Sequence, residues 1–293
     1  MLALRKINLV VADPARFREF IPEARKSAEA IRKLDPNSIG ALGLLAIVDA
    51  NELRWSEAME NSDRAIKLAP SNSLAHLARG TVLMRIGRLD GAKQEYAEAH
   101  GLDPLNAMIG VAATYCSFAR GEDEMVLAAA KAISGGAGEA NVYSHWLQSY
   151  VAQRKGNHAE ADRYFRAFMA ARGKNKSVIE PVSRALKSPA AIPQAAQAIE
   201  REKREDSSFR STELLNLIDP GGAMIDELRF DLGHGDTYFV SFSLPAVWRA
   251  VVDDGANKKI KQLFRDTGLV DYWRAHGWPD RCRAKGEDDF ECS

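Results

Sequence analysis

A single stretch, Ser73 to Asn106, constrains the chain more than any other. It places Gly80, Ala92 and Ala99, an aromatic at Tyr96 and a proline at Pro104 within 34 residues. Two antiparallel helices cross closely only where facing positions are small, and Gly80, Ala92 and Ala99 supply such a seam with Tyr96 beside it. Gly87 stands where a first helix needs a left-handed residue to stop, and Asp103-Pro104 stops the second because proline cannot continue a helix. The unit is a helical hairpin. The preceding 34 residues repeat it: Leu45, Ala46, Ala58, Ala65 and Pro70 stand one period before Arg79, Gly80, Ala92, Ala99 and Pro104. Ala24, Ile31 and Pro36 continue the series one period further back. Residues 5–20 contain Asp13-Pro14 where a first helix should run unbroken, so the spacing predicts only half a repeat there.

This spacing resembles the tetratricopeptide repeat (TPR), a 34-residue helical hairpin that needs stacked neighbours to bury both its faces. The period persists beyond Asn106 as the residues drift. Gly121 follows Gly87 by 34, Val126, Ala130 and Ile133 replace the small and aromatic positions, and Ser134–Gly138 replaces the proline stop. The next hairpin is expected from Val142 to Arg154, with a turn at Gly156 and Ala161 and Phe165 on its second helix. The expected fold is all-α: a right-handed solenoid of TPR-like hairpins over 1–172, then a C-terminal helical region over 173–293. In that region the sequence predicts short helices around Ser188-Pro189 and Ile192-Pro193, and a pair at Thr212–Ile218 and Ala223–Leu232. Thr237–Ser243 reads as a short buried helix, because no partner strand is nearby and a lone strand cannot pair its backbone. Ile260, Leu263 and Phe264 mark another helix, Gly268 a cap, and Tyr272, Trp273 and Trp278 a cluster around Pro279 that folds back on the rest.

Composition narrows the functions. The 293 residues carry 40 basic and 40 acidic side chains, a formal net charge of zero. That argues against bulk attraction to nucleic acid or anionic membrane. No apolar run approaches the roughly 20 residues that cross a bilayer, and Arg5 and Lys6 interrupt the N-terminal apolar run, so a cytoplasmic chain is expected. Cys116 reads as a core residue. Cys282 and Cys292 frame a short polar loop and could bridge it, but a reducing cytoplasm favours free thiols. With His276 they match no common zinc spacing.

The sequence holds no phosphate-binding glycine loop, no dinucleotide fingerprint, no zinc-protease or C-x-x-C motif and no nucleophile elbow. His234, between Gly233 and Gly235, reads as a turn residue. The expectation is a non-catalytic protein with neither cofactor nor metal.

The tail, Gly268 to Cys292, resembles the closing segment of bacterial TPR-containing regulators, through Tyr272-Trp273-Arg274, Gly277-Trp278-Pro279 and Cys282. In that family a winged-helix or nucleotide-cyclase domain precedes the array, and nothing in this sequence resembles either. The resemblance implies a regulatory module of a signalling or transcription system that binds a protein or peptide partner. It also implies that the first helix of each hairpin lines a concave groove. The residues placed there are Leu77, Thr81, Met84, Arg85, Tyr115, Phe118, Tyr143, Trp146, Tyr150 and Arg154, an aromatic set suited to partner contact. The chain's own C-terminal tail is a second candidate occupant. A clamp for an acidic chaperone tail is not expected, since Gly43, Ile47, Leu77 and Thr81 stand where its lysines and asparagines would be. The alternative function is direct DNA binding through Lys258, Lys259, Lys261 and Arg265, against the simpler reading of these as the solvated side of an amphipathic helix.

Overall fold

A computed structural model describes residues 14–133, 139–173, 176–206, 209, 211–286 and 289–293. The apolar run containing Arg5 and Lys6, and the Ser134–Gly138 segment, lie outside the described residues. The described residues fold as two compact units, one formed by those up to 121 with those from 228 onward and the other by those between 122 and 227.

In the first unit the helices are α1 (Pro14–Leu34), α2 (Ile39–Asn51), α3 (Trp55–Leu68), α4 (Ser73–Arg85), α5 (Leu89–Leu102) and α6 (Ala107–Ala119). They pack in sequence as hairpins, and α2, α4 and α6, the first helices of successive repeats, also touch in order. The small positions are closed seams: Ala58, Ala65, Ala92 and Ala99 are fully buried. At Gly80 an added Cβ would stand 2.8 Å from the Tyr96 ring, so the glycine makes room for the aromatic as well as for the helix crossing. Asn72 and Asn106, one period apart, cap α4 and α6, their side chains accepting from Leu74 and Met108 backbone N–H groups.

The predicted half repeat takes another form. One 21-residue helix, α1, starts at Pro14 and runs through Pro22. Pro14, expected to interrupt a helix, is the first described residue of this one. Arg25 then ties α1 to the next hairpin, reaching Asp49 at 2.7 Å and Glu52 at 3.0 Å. Asp49 is almost wholly buried and also accepts from Arg54 and from Asn61.

The turns between paired helices repeat too. Gly87 and Gly121 have φ of +86° and +75°, and Leu53, one period before Gly87, is the one non-glycine residue of positive φ among the described residues, at 60°. A left-handed leucine costs about 1 to 2 kcal/mol, whereas glycine there gives up about 0.5 to 1 in chain entropy. Leu53→Gly is expected to stabilise the chain by about 0.5 to 1 kcal/mol, measured as a rise in the urea midpoint at unchanged slope.

The second unit contains α7 (Asp123–Ile133), α8 (Glu139–Arg154), α9 (His158–Arg172), α10 (Ile179–Lys187), α11 (Ile192–Glu205), α12 (Ser211–Ile218) and the start of α13 (Ala223–Gly233). The α8–α9 hairpin follows the expected register, with Gly156 at φ +73° and Ala161 and Phe165 fully buried. Asp162 on α9 is shared by Lys187 at 2.6 Å, Arg166 at 3.1 Å and the Ser183 hydroxyl, which fastens α10 to α9.

The remainder of the first unit is α14 (Thr237–Asp254), α15 (Lys258–Asp266), α16 (Leu269–His276), β1 (Cys282–Lys285) and β2 (Asp289–Cys292). Two expectations are corrected here. The short helix expected at Thr237–Ser243 is the start of an 18-residue helix that runs on to Asp254. The polar loop after Cys282 is an antiparallel hairpin in which Cys282 faces Cys292, and the two are joined by a disulfide rather than left as free thiols.

Candidate functional site

The first helices α2, α4 and α6 present one face in common, and α14 lies along it, touching all three. The sequence of α14 explains why it binds there. Val240, Leu244, Val247, Trp248 and Val251 recur at helical spacing and are all fully buried. Polar contacts fix the register: the Ser241 hydroxyl donates to the Ala50 carbonyl at 2.8 Å, the Trp248 indole N–H to the Arg85 carbonyl at 3.1 Å, and Arg249 to the Phe118 carbonyl at 3.5 Å. Those carbonyls belong to the last turns of α2, α4 and α6, and those of Ala50 and Phe118 also accept from the turn N–H groups of Leu53 and Gly121. The turn glycines complete the seat. A Cβ at Gly87 would overlap the Trp248 indole, and one at Gly121 would stand 2.8 Å from Val252 Cγ1.

Of the sequence-predicted groove residues of this unit, Arg85, Tyr115 and Phe118 adjoin α14, whereas Thr81 and Met84 stand against the Tyr96 hydroxyl of α5. Leu77, Met84, Arg85 and Phe118 are buried. Arg85 reaches the Ile47 carbonyl at 3.5 Å, and the Arg249 guanidinium sits 5.5 Å from the centre of the Phe118 ring. Thr81 and Tyr115 are half-buried. The Thr81 hydroxyl donates to the Leu77 carbonyl at 2.8 Å, and Tyr115 meets Phe242 of α14 edge-on at 6.2 Å.

In the second unit, Trp146 and Tyr150 on α8 are buried with their rings 5.9 Å apart, and the Trp146 indole donates to the Glu213 carbonyl of α12 at 3.0 Å. Arg154 is exposed. The Tyr143 side chain lies outside the described residues. Trp248, Phe242 and Arg249 were absent from the predicted set. The signal that could have found them is the i, i+4, i+7, i+8, i+11 apolar spacing from Val240.

The tail holds the same unit from the side of the turns. Trp55 donates to the Thr267 carbonyl at 2.8 Å and Trp273 to the Ile86 carbonyl at 2.9 Å. Arg88 donates to the His276 carbonyl, and Asp280 accepts from the Asp90 backbone N–H at 2.7 Å. Trp248, Phe264, Trp273, Trp278 and Phe290 form one cluster, with neighbouring ring centroids 4.7 to 6.0 Å apart.

The basic stretch of α15 is partly committed. Lys261 and Arg265 both contact Asp289, each at 3.1 Å, and both stand over the Phe290 ring. The Phe290 backbone N–H and these cations hold the Asp289 carboxyl below the usual range, and Arg283 does the same for Glu291. A lowered carboxylate stabilises the fold in its ionised form, so the contribution is present above the ordinary carboxylate range and lost as pH falls through the lowered values. On acid titration the Asp289 contacts with Lys261 and Arg265 are expected to weaken as the pH falls through the lowered carboxylate values, read as a change in tryptophan emission ahead of the loss of helical signal.

Among the described residues no group of three or more His, Cys, Asp or Glu side chains could hold a metal ion, and no helix is long and apolar enough to cross a membrane. The His234 ring lies 4.1 Å from that of Phe230, tilted by 34°, and places Nδ1 2.8 Å from the Phe230 carbonyl, just past the end of α13.

No protein-family model matches the sequence, and no curated protein does. Solved structures do resemble it. A tetratricopeptide repeat protein from Parabacteroides merdae ATCC 43184 superposes with a TM-score of 0.51 at 15% identity, over 85% of this chain and 93% of that one. PilW, a widely conserved type IV pilus biogenesis factor, superposes with a TM-score of 0.51 at 18% identity, over 74% of this chain and 98% of PilW. At these identities the likeness concerns the fold, which is TPR-like.

Proposed function

We propose that this chain is a non-catalytic protein-interaction scaffold that takes helical segments against the first helices of its repeats. TPR-like folds serve in general as protein-binding frameworks, and one observation carries the reading to this chain. The face of α2, α4 and α6 already holds a helix, α14, through terminal carbonyls and glycine-walled notches that accept an aromatic and a β-branched side chain. That is helix-in-groove recognition carried out within one chain. Leu77, Thr81, Met84, Arg85, Tyr115 and Phe118 are the contact set in the first unit. Tyr143, Trp146, Tyr150 and Arg154 are its counterpart in the second.

The narrower reading, a regulatory part of a bacterial signalling or transcription system, is supported by the resemblance of the tail from Gly268 to Cys292. Direct DNA binding through α15 has less support, because Asp289 engages two of its four cations.

The test uses a labelled peptide of residues 237–254 titrated against the full chain and against Trp248→Ala. If the face takes helices reversibly, the peptide binds the variant, whose own helix is weakened, and does not bind the wild type. No binding to a folded Trp248→Ala chain would mean that this face serves only as core.

A further inference from the structure

The disulfide sits where the whole C-terminal closure is fastened. Each strand of the hairpin is four residues long, and an isolated two-stranded hairpin is marginal in water. Yet β2 carries three anchors for the helices around it. Phe290 is fully buried in the tryptophan cluster, Asp289 binds Lys261 and Arg265, and the Cys292 carbonyl accepts from the Ala256 backbone N–H at 3.2 Å, at the junction of α14 and α15. Cys282 and Cys292 are the end pair of the register, and both are buried. The third cysteine takes no part. Cys116 is buried on α6 with its thiol 3.7 Å from the Leu89 carbonyl.

We infer that Cys282 and Cys292 are a site of oxidative modification that the fold requires, so that the chain is the dithiol substrate of a disulfide-donating oxidoreductase and is built for a disulfide-forming compartment. The chemistry balances as two exchanges. One cysteine thiolate attacks a sulfur of the donor disulfide, forming a mixed disulfide and expelling one donor thiolate. The second cysteine thiolate then attacks the protein sulfur of that mixed disulfide, closing the 282–292 bond and expelling the other donor thiolate. The two cysteine protons end on the two donor thiols, and the donor gains the two electrons. A reducing cytoplasm holds such pairs open, so this inference replaces the cytoplasmic placement that composition suggested. It stands independently of the scaffold reading, since it concerns the closure of the tail and not what the repeats bind.

The test has two arms on the full-length protein. In the first, native oxidised chain is incubated with millimolar reduced glutathione or with dithiothreitol, thiols are trapped with a maleimide, and the labelled residues are found by mass spectrometry. The expected result is that glutathione leaves Cys282 and Cys292 closed while dithiothreitol opens them. In the second, the dithiothreitol-reduced chain and the Cys282→Ser, Cys292→Ser double variant are melted beside the oxidised protein. Both are expected to melt roughly 5 °C lower, with hydrogen-exchange protection lost across residues 282–286 and 289–293 and kept in α4 and α5. A bridge opened by glutathione, or a reduced chain that melts with the oxidised one and keeps the hairpin protected, would overturn the inference.

Discussion

Replacing Trp248 by alanine is expected to cost about 3 to 5 kcal/mol of stability. Its indole is completely buried, 4.7 Å from the Phe264 ring centre and 5.8 Å from that of Trp273, and its N–H serves the Arg85 carbonyl. Truncation therefore empties the centre of the cluster and orphans a helix-end acceptor together. The void cannot collapse easily, because one wall is the α4–α5 turn and the other is α15, each fixed by its own hairpin. Chemical denaturation followed by far-UV circular dichroism measures the loss. A cost under about 1 kcal/mol, the range of ordinary surface changes, would mean that α14 is not seated as described.

Gly87→Ala is the second large effect, at about 2 to 5 kcal/mol. Two costs add. The backbone at φ +86° penalises any side chain by about 1 to 2 kcal/mol, and a Cβ driven into a packed indole adds about 1 to 3. Leu53 separates the two, since it bears the backbone cost at the equivalent turn and the fold tolerates it. The indole is what makes position 87 intolerant. The same substitution at Gly156, where φ is +73° and a Cβ would meet nothing within 4 Å, should show the backbone cost alone.

The array was legible because its causes are local and repeated. Small residues recur at the helix crossings, Ala46, Ala58 and Ala65 standing one period before Gly80, Ala92 and Ala99, and glycine recurs at two reversals, Gly87 and Gly121, with Leu53 in its place at the turn before. The partner of the inner face was not legible. Val240 to Val251 announce a buried helix, but which surface buries it depends on residues 163 and 191 positions away in the chain, and no periodicity links them. The terminal hairpin was missed for a related reason. Cys282-Arg-Ala-Lys has little of the β-branched or aromatic makeup of a strand, and its pairing rests on the disulfide and on Phe290.

A double-mutant cycle on Gly87 and Trp248 tests most directly whether α14 occupies the face of the repeats. If the indole fills the notch, the alanine at 87 loses its steric cost once Trp248 is also alanine. The double variant is then more stable than the sum of the single losses by about 1 to 3 kcal/mol, leaving only the backbone cost of the turn. Simple additivity, within about 0.5 kcal/mol, would place Trp248 away from Gly87 and contradict the account.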